Sequence, residues 1–79
     1  MKARVHVTLK KGVLDPQGKA IGHSLNRLGF PDVGDVRQGK FFELDVAAGS
    51  ADQAKQLASE VADKVLANPV IESYRVEVE

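Results

Sequence analysis

Ala3-Arg4-Val5-His6-Val7-Thr8-Leu9-Lys10, followed by Lys11-Gly12-Val13-Leu14-Asp15-Pro16-Gln17-Gly18, is the stretch on which the fold turns. In its first half Ala3, Val5, Val7 and Leu9 point one way and Arg4, His6, Thr8 and Lys10 the other. That period of two marks a half-buried strand. In its second half Asp15 is placed to cap a helix by accepting an orphan backbone N–H, and Pro16 suits a first helical position, where no N–H is needed. A helix start requires only the Asp-Pro pair. The flanking Val13-Leu14 and Gln17-Gly18 therefore carry information that capping does not demand.

Working outward, the helix runs from about Pro16 to Leu28. Ile21, Leu25 and Leu28 form one apolar stripe, and Gly29 is a natural left-handed stop. Gly18 and Gly22 weaken it by about 1 kcal/mol each relative to Ala, and they allow a close approach to the sheet or to another chain. Phe30-Pro31-Asp32 reads as a turn, Val33–Gln38 as a short strand, and Gln38-Gly39 as a hairpin turn into a strand over Lys40–Ala47. In that strand Phe42, Leu44 and Val46 share one face. Ser50 with Gln53 is a capping-box signature opening a helix over Ala51–Ala67, with Ala54, Leu57, Ala58, Val61, Val65 and Leu66 on a wide stripe. Asn68-Pro69 stops it, and Val70–Val78 is the last strand, with Tyr74, Val76 and Val78 inward.

The order is β-α-β-β-α-β. Right-handed crossovers turn it into an α+β ferredoxin-like sandwich: a four-stranded antiparallel sheet, order 4-1-3-2, with both helices on one face. Residues 1–79 read as a single domain with one modest core. The other face of the sheet would then carry Arg4, His6, Thr8, Lys10, Phe41, Glu43, Asp45, Ile71, Ser73, Arg75 and Glu77. Cross-strand ion pairs are expected there, each contributing at most about 1 kcal/mol. Phe41 and Ile71 are apolar intruders on this charged face and point to a second layer. A stacked second copy is the simplest cover, and edge-strand pairing is another route to a dimer.

Composition narrows the function. Eleven basic and eleven acidic residues leave no net charge, which argues against a general binder of nucleic acid or anionic membrane. The absence of cysteine removes disulfides, thiolate metal sites and Cys nucleophiles. Apolar runs are too short to span a bilayer, and the N-terminus alternates where a signal peptide would be apolar, so a cytoplasmic location is expected. His6 and His23 have no partner at metal-ligand spacing. None of Ser24, Ser50, Ser59 and Ser73 lies in a nucleophile elbow. Glu43 and Asp45 sit on one face two residues apart, but nearby Arg4, Lys10 and Arg75 neutralise them more simply than a bound cation would. Arg37-Gln38-Gly39-Lys40 brings two cations to a tight turn, a plausible anion or partner contact, with too few glycines for a phosphate loop. An RNA-recognition domain would need more aromatics on its central strands than Phe41 supplies.

Val13-Leu14-Asp15-Pro16-Gln17-Gly18, Leu28-Gly29-Phe30, Val36-Arg37-Gln38-Gly39-Lys40 and Leu66–Glu77, in that order and essentially end to end, closely resemble the PurS family, small subunits of phosphoribosylformylglycinamidine synthase. The resemblance implies a non-catalytic subunit of a purine-biosynthetic complex. In that complex a glutaminase subunit (PurQ) releases ammonia, and a synthetase subunit (PurL) uses ATP and Mg to activate the formamide oxygen of formylglycinamide ribonucleotide. The small subunit bridges the two and supports ammonia transfer. No catalytic, cofactor or metal residue carries over to this chain. A homodimer, or a tetramer of dimers, is implied. The residues read as partner contacts are Arg37, Gly39, Lys40 and Phe41 at the hairpin, with Arg4, His6 and Ile71 on the open face. A small-molecule-sensing regulatory domain of the ACT type, also ferredoxin-like and dimeric, is the alternative reading.

Overall fold

The computed structural model describes all 79 residues. Strand β1 (Lys2–Leu9) lies at the centre of a three-stranded antiparallel sheet, flanked by β2 (Gly39–Asp45) and β3 (Glu72–Val78) in the order β2-β1-β3. Val5 stands opposite Phe42 on one side and Val76 on the other, so the alternation read from the sequence is preserved across all three strands. The chain is thus α+β, with two helices and a three-stranded sheet. Both neighbours of β1 are those expected.

The inner face of β1 carries Ala3, Val5 and Val7, each at most 1% exposed. Helix α2 (Ala51–Val61) lies against it through Ala54 and Ala58, and Ala62 continues the same row. All three alanines are fully buried. Methyl groups at this contact let the helix approach closely, and that closeness leaves no room for a larger side chain. The capping box forms as expected: Ser50 Oγ accepts the Gln53 N–H at 3.2 Å, and Gln53 Oε1 in turn accepts the Gly49 N–H at 3.0 Å. The chain ends are tied to the sheet, the Met1 ammonium donating to the Val46 carbonyl at 2.8 Å and the Glu79 N–H to Lys2 at 3.1 Å.

Three expectations need correction. No strand forms over Val33–Gln38, and so no hairpin at Gln38-Gly39 and no fourth strand. The polar groups of this segment are held elsewhere: the Gln38 N–H bonds to Asp15 Oδ2, and the Arg37 guanidinium bonds to carbonyls of the turn after β1. Gly34 and Asp35 are also poor strand formers. Second, the two helices do not share a face of the sheet. Helix α1 (Pro16–Arg27) buries only Gly18 and projects from the end of the sheet. The molecule measures 50 × 25 × 14 Å with a radius of gyration of 15.7 Å, against about 12 Å for a compact chain of this length.

Third, the second helix does not stay α-helical to Ala67. Residues Ala62–Leu66 form a π turn, closed by the Ala67 N–H donating to the Ala62 carbonyl at 2.8 Å. The wider turn places Leu66 and Ala67 against the core and turns Val65, 77% exposed, out of the expected stripe. A turn at Asn68–Ile71 follows, with Asn68 Oδ1 accepting from the Val70 N–H, so β3 begins at Glu72 and not at Val70.

Candidate interaction surfaces

Asp15 is the most heavily used polar residue of the chain. It is buried at 5% exposure and divides its carboxylate between two segments. Oδ1 accepts the Gly18 N–H at 2.8 Å and caps α1, and Oδ2 accepts the Gln38 N–H at 2.8 Å and fixes the approach to β2. The Gln38 bond, then the Gly18 bond, hold its pKa below the ordinary carboxylate value, with help from the Arg37 charge and against the opposing effect of burial. Gly18 is required by the same crossing, because a Cβ there would collide with the Val36 carbonyl oxygen. Gly39 passes as closely over the Val7 carbonyl. The flanks of the Asp-Pro pair thus have a physical role: Gly18 lets the 31–38 segment run across the helix start.

Arg37 completes this junction. Its guanidinium donates to the carbonyls of Leu9, Lys10 and Val13 at 3.2–3.3 Å. Lys40 lies on the inner side of the sheet, its Nζ 3.4 Å from Glu72 Oε2 and 3.5 Å from the Leu66 carbonyl. Neither cation stands at a hairpin tip; both brace their own chain. Between α1 and the 31–38 segment is a cleft of about 520 Å³, lined in part by Gly12, Leu14, Lys19, His23 and Asp35.

The open face of the sheet holds the other singled-out residues. Arg4 pairs with Glu79, and Lys2 with Glu43 at 3.4 Å. His6 Nε2 lies 2.8 Å from Glu77 Oε1, near enough for an ion pair once the ring is protonated but not aligned as a hydrogen bond, and Arg75 reaches the same oxygen at 3.2 Å. Beside this network Phe41 is 52% exposed, its ring centroid 5.0 Å from that of His6. Ile71 is also exposed, in the turn before β3. No group of three or more His, Asp or Glu side chains is arranged to hold a metal ion, and no helix is long and apolar enough to cross a membrane.

Sequence reasoning places Arg4, His6 and Phe41 together, and the structure does so. It misses Asp15 as a bridge and Glu72 as the partner of Lys40. The unexplained flanks of Asp-Pro are the available signal for the first; the second depends on a side-chain reach that no spacing encodes.

An open α+β chain whose prominent features are a braced junction, an unfilled cleft and a charged sheet face with an aromatic at its centre belongs to the class of small interaction subunits. The family model of PurS, phosphoribosylformylglycinamidine (FGAM) synthase, matches residues 2–79. The chain belongs to the PurS family. It is 47% identical over 78 residues to the phosphoribosylformylglycinamidine synthase subunit PurS of Bacillus subtilis, covering 99% of this chain and 92% of that one. The crystal structure of Methanocaldococcus jannaschii PurS superposes with a TM-score of 0.89 at 41% identity, covering 99% of this chain and 94% of that one. The PurLQS structure from Thermotoga maritima contains a chain with a TM-score of 0.88 at 30% identity, over 96% of this chain and 93% of that one.

Proposed function

We propose that this chain is the small, non-catalytic subunit of a phosphoribosylformylglycinamidine synthase, acting as one domain in the cytoplasm. It assembles as a homo-oligomer and bridges a glutaminase and a synthetase subunit so that ammonia passes between them out of water. The observation that carries this is the end-to-end match to the PurS family, together with the likeness to a chain in the PurLQS structure. ATP and Mg belong to the synthetase partner, and this subunit binds no cofactor. Protected transfer is chemically sensible, because ammonium formed in water lacks the lone pair needed to attack the activated formamide carbon.

Within that role the open face around Phe41, with Arg4, His6 and Ile71, is the contact surface. Arg37, Gly39 and Lys40 shape the backbone beside it. Reconstitution tests the function. With cognate glutaminase and synthetase, the chain is required for glutamine-driven product formation and dispensable at high ammonia. Equal glutamine-driven synthesis without it would overturn the bridging role.

A further inference from the structure

The first helix has an apolar stripe that its own chain leaves bare. Ile21 and Leu28 are 41% and 73% exposed, and Phe30 just beyond them is 55% exposed. The helix makes no extended contact with the sheet or with α2. Twelve residues are too few for a helix to be stable alone in water, and Gly18 and Gly22 weaken it further. Asp15 and its bonds fix only the first turn. The body of α1 needs a cover.

The same chain has a matching vacancy. On the inner face α2 lies over β1 and β3 and makes no comparable contact with β2. Phe42 and Leu44, which face inward from β2, are therefore only partly buried, packed against the core from one side. In a split βαβ layer two helices share that face. Here the second place is empty, and the helix that would take it points off the end of the sheet.

We infer that α1 of one copy lies over β2 of a second copy, and reciprocally, with Ile21, Leu25 and Leu28 packed on Phe42 and Leu44. Such an exchange is self-complementary and closes under a two-fold axis. Zero net charge does not oppose it. It uses the helix side of the sheet and leaves the Phe41 face free for other subunits. The inference rests on the homo-oligomer reading above and specifies the surfaces that make it.

The chain has no cysteine, so single introduced cysteines report contacts cleanly. Leu25→Cys chains and Phe42→Cys chains, refolded together and treated with a short bis-maleimide, should give a linked dimer containing one of each. Leu25→Cys chains alone should not link. Leu28→Asp should weaken the dimer by at least roughly tenfold in sedimentation, as the loss of a buried leucine implies. If Leu25→Cys chains link to each other and not to Phe42→Cys chains, the exchange is wrong while the dimer stands. An unchanged dimer in Leu28→Asp also overturns the exchange. A native chain that sediments as a monomer at micromolar concentration removes both the exchange and the homo-oligomer.

Discussion

The Asp15 carboxylate holds the backbone N–H of Gln38 at 2.8 Å across 23 residues of sequence. With its other oxygen it caps α1, so one buried anion sets both the start of the first helix and the entry to β2. Everything from Lys10 to Gly39 hangs on this junction and on the three carbonyls gripped by Arg37.

The junction makes stability depend on acidity in a definite direction. The folded pKa of Asp15 lies below its ordinary value of 3.8, so the stabilisation is complete above that value and is lost as pH falls through the lower, folded pKa. Asp15→Asn keeps the shape but loses the charge. Urea titrations should show the native chain more stable than this variant at pH 7, with the gap narrowing below pH 3.8. A gap that is constant down to pH 2 would show that the charge does not matter.

Two glycines of one helix should respond oppositely to alanine. At Gly22 an added Cβ meets only Val36 Cγ2 at 3.8 Å, ordinary contact, so Gly22→Ala should stabilise by about 1 kcal/mol through helix propensity. At Gly18 the Cβ meets the Val36 backbone, which cannot rotate away. The overpacking, about 1–3 kcal/mol, outweighs the propensity gain, and Gly18→Ala should be a net loss. Thermal melts of the two variants beside the native chain decide it.

Arg37 grips carbonyls with a planar fork that lysine does not possess. Arg37→Ala should cost about 1–2 kcal/mol in urea unfolding, since hydrogen bonds to a charged donor are lost at an exposed site. Arg37→Lys should recover less than half of that. Full recovery by lysine would reduce the role of Arg37 to charge alone.

Ala58 has no accessible surface and faces the β1 row of Ala3, Val5 and Val7. Ala58→Leu adds three carbons where none fit. We expect a loss of about 2–3 kcal/mol, or non-folding, against less than about 0.5 kcal/mol for Lys55→Leu on the exposed side of the same helix.

Phe41 lies exposed on the open face, so Phe41→Ser should leave stability within about 0.5 kcal/mol. The same change should weaken co-elution with the glutaminase and synthetase subunits. Intact assembly in this variant would move the contact surface elsewhere.

Legibility in the sequence depends on how far away each residue's deciding partner lies. Residues 3–10 announce β1 because alternation is a local signal, and Ser50 with Gln53 announces α2 because the cap is made within four residues. The 33–38 segment imitates a strand and turn through Val33, Val36 and the Gln38-Gly39 pair, while the bond that decides its course comes from Asp15. The stripe of α1 looks like any core-facing stripe; nothing in Ile21, Leu25 and Leu28 says whose core they cover. Arg37 and Lys40 look like a solvated basic tip because their carbonyl and Glu72 partners are brought in by the fold.

The π turn at Ala62–Leu66 acts as a phase shifter. Removing one residue there would restore an ordinary helix and rotate everything after it by about 100°, carrying Leu66 and Ala67 off the core and Val65 toward it. The chain between Ala54 and Ala67 is therefore intolerant of changes in length as well as of changes in size, whereas the 31–33 turn can lengthen without disturbing the Asp15–Gln38 bond or β2. Among natural variants, insertions and deletions should avoid the first region and collect in the second.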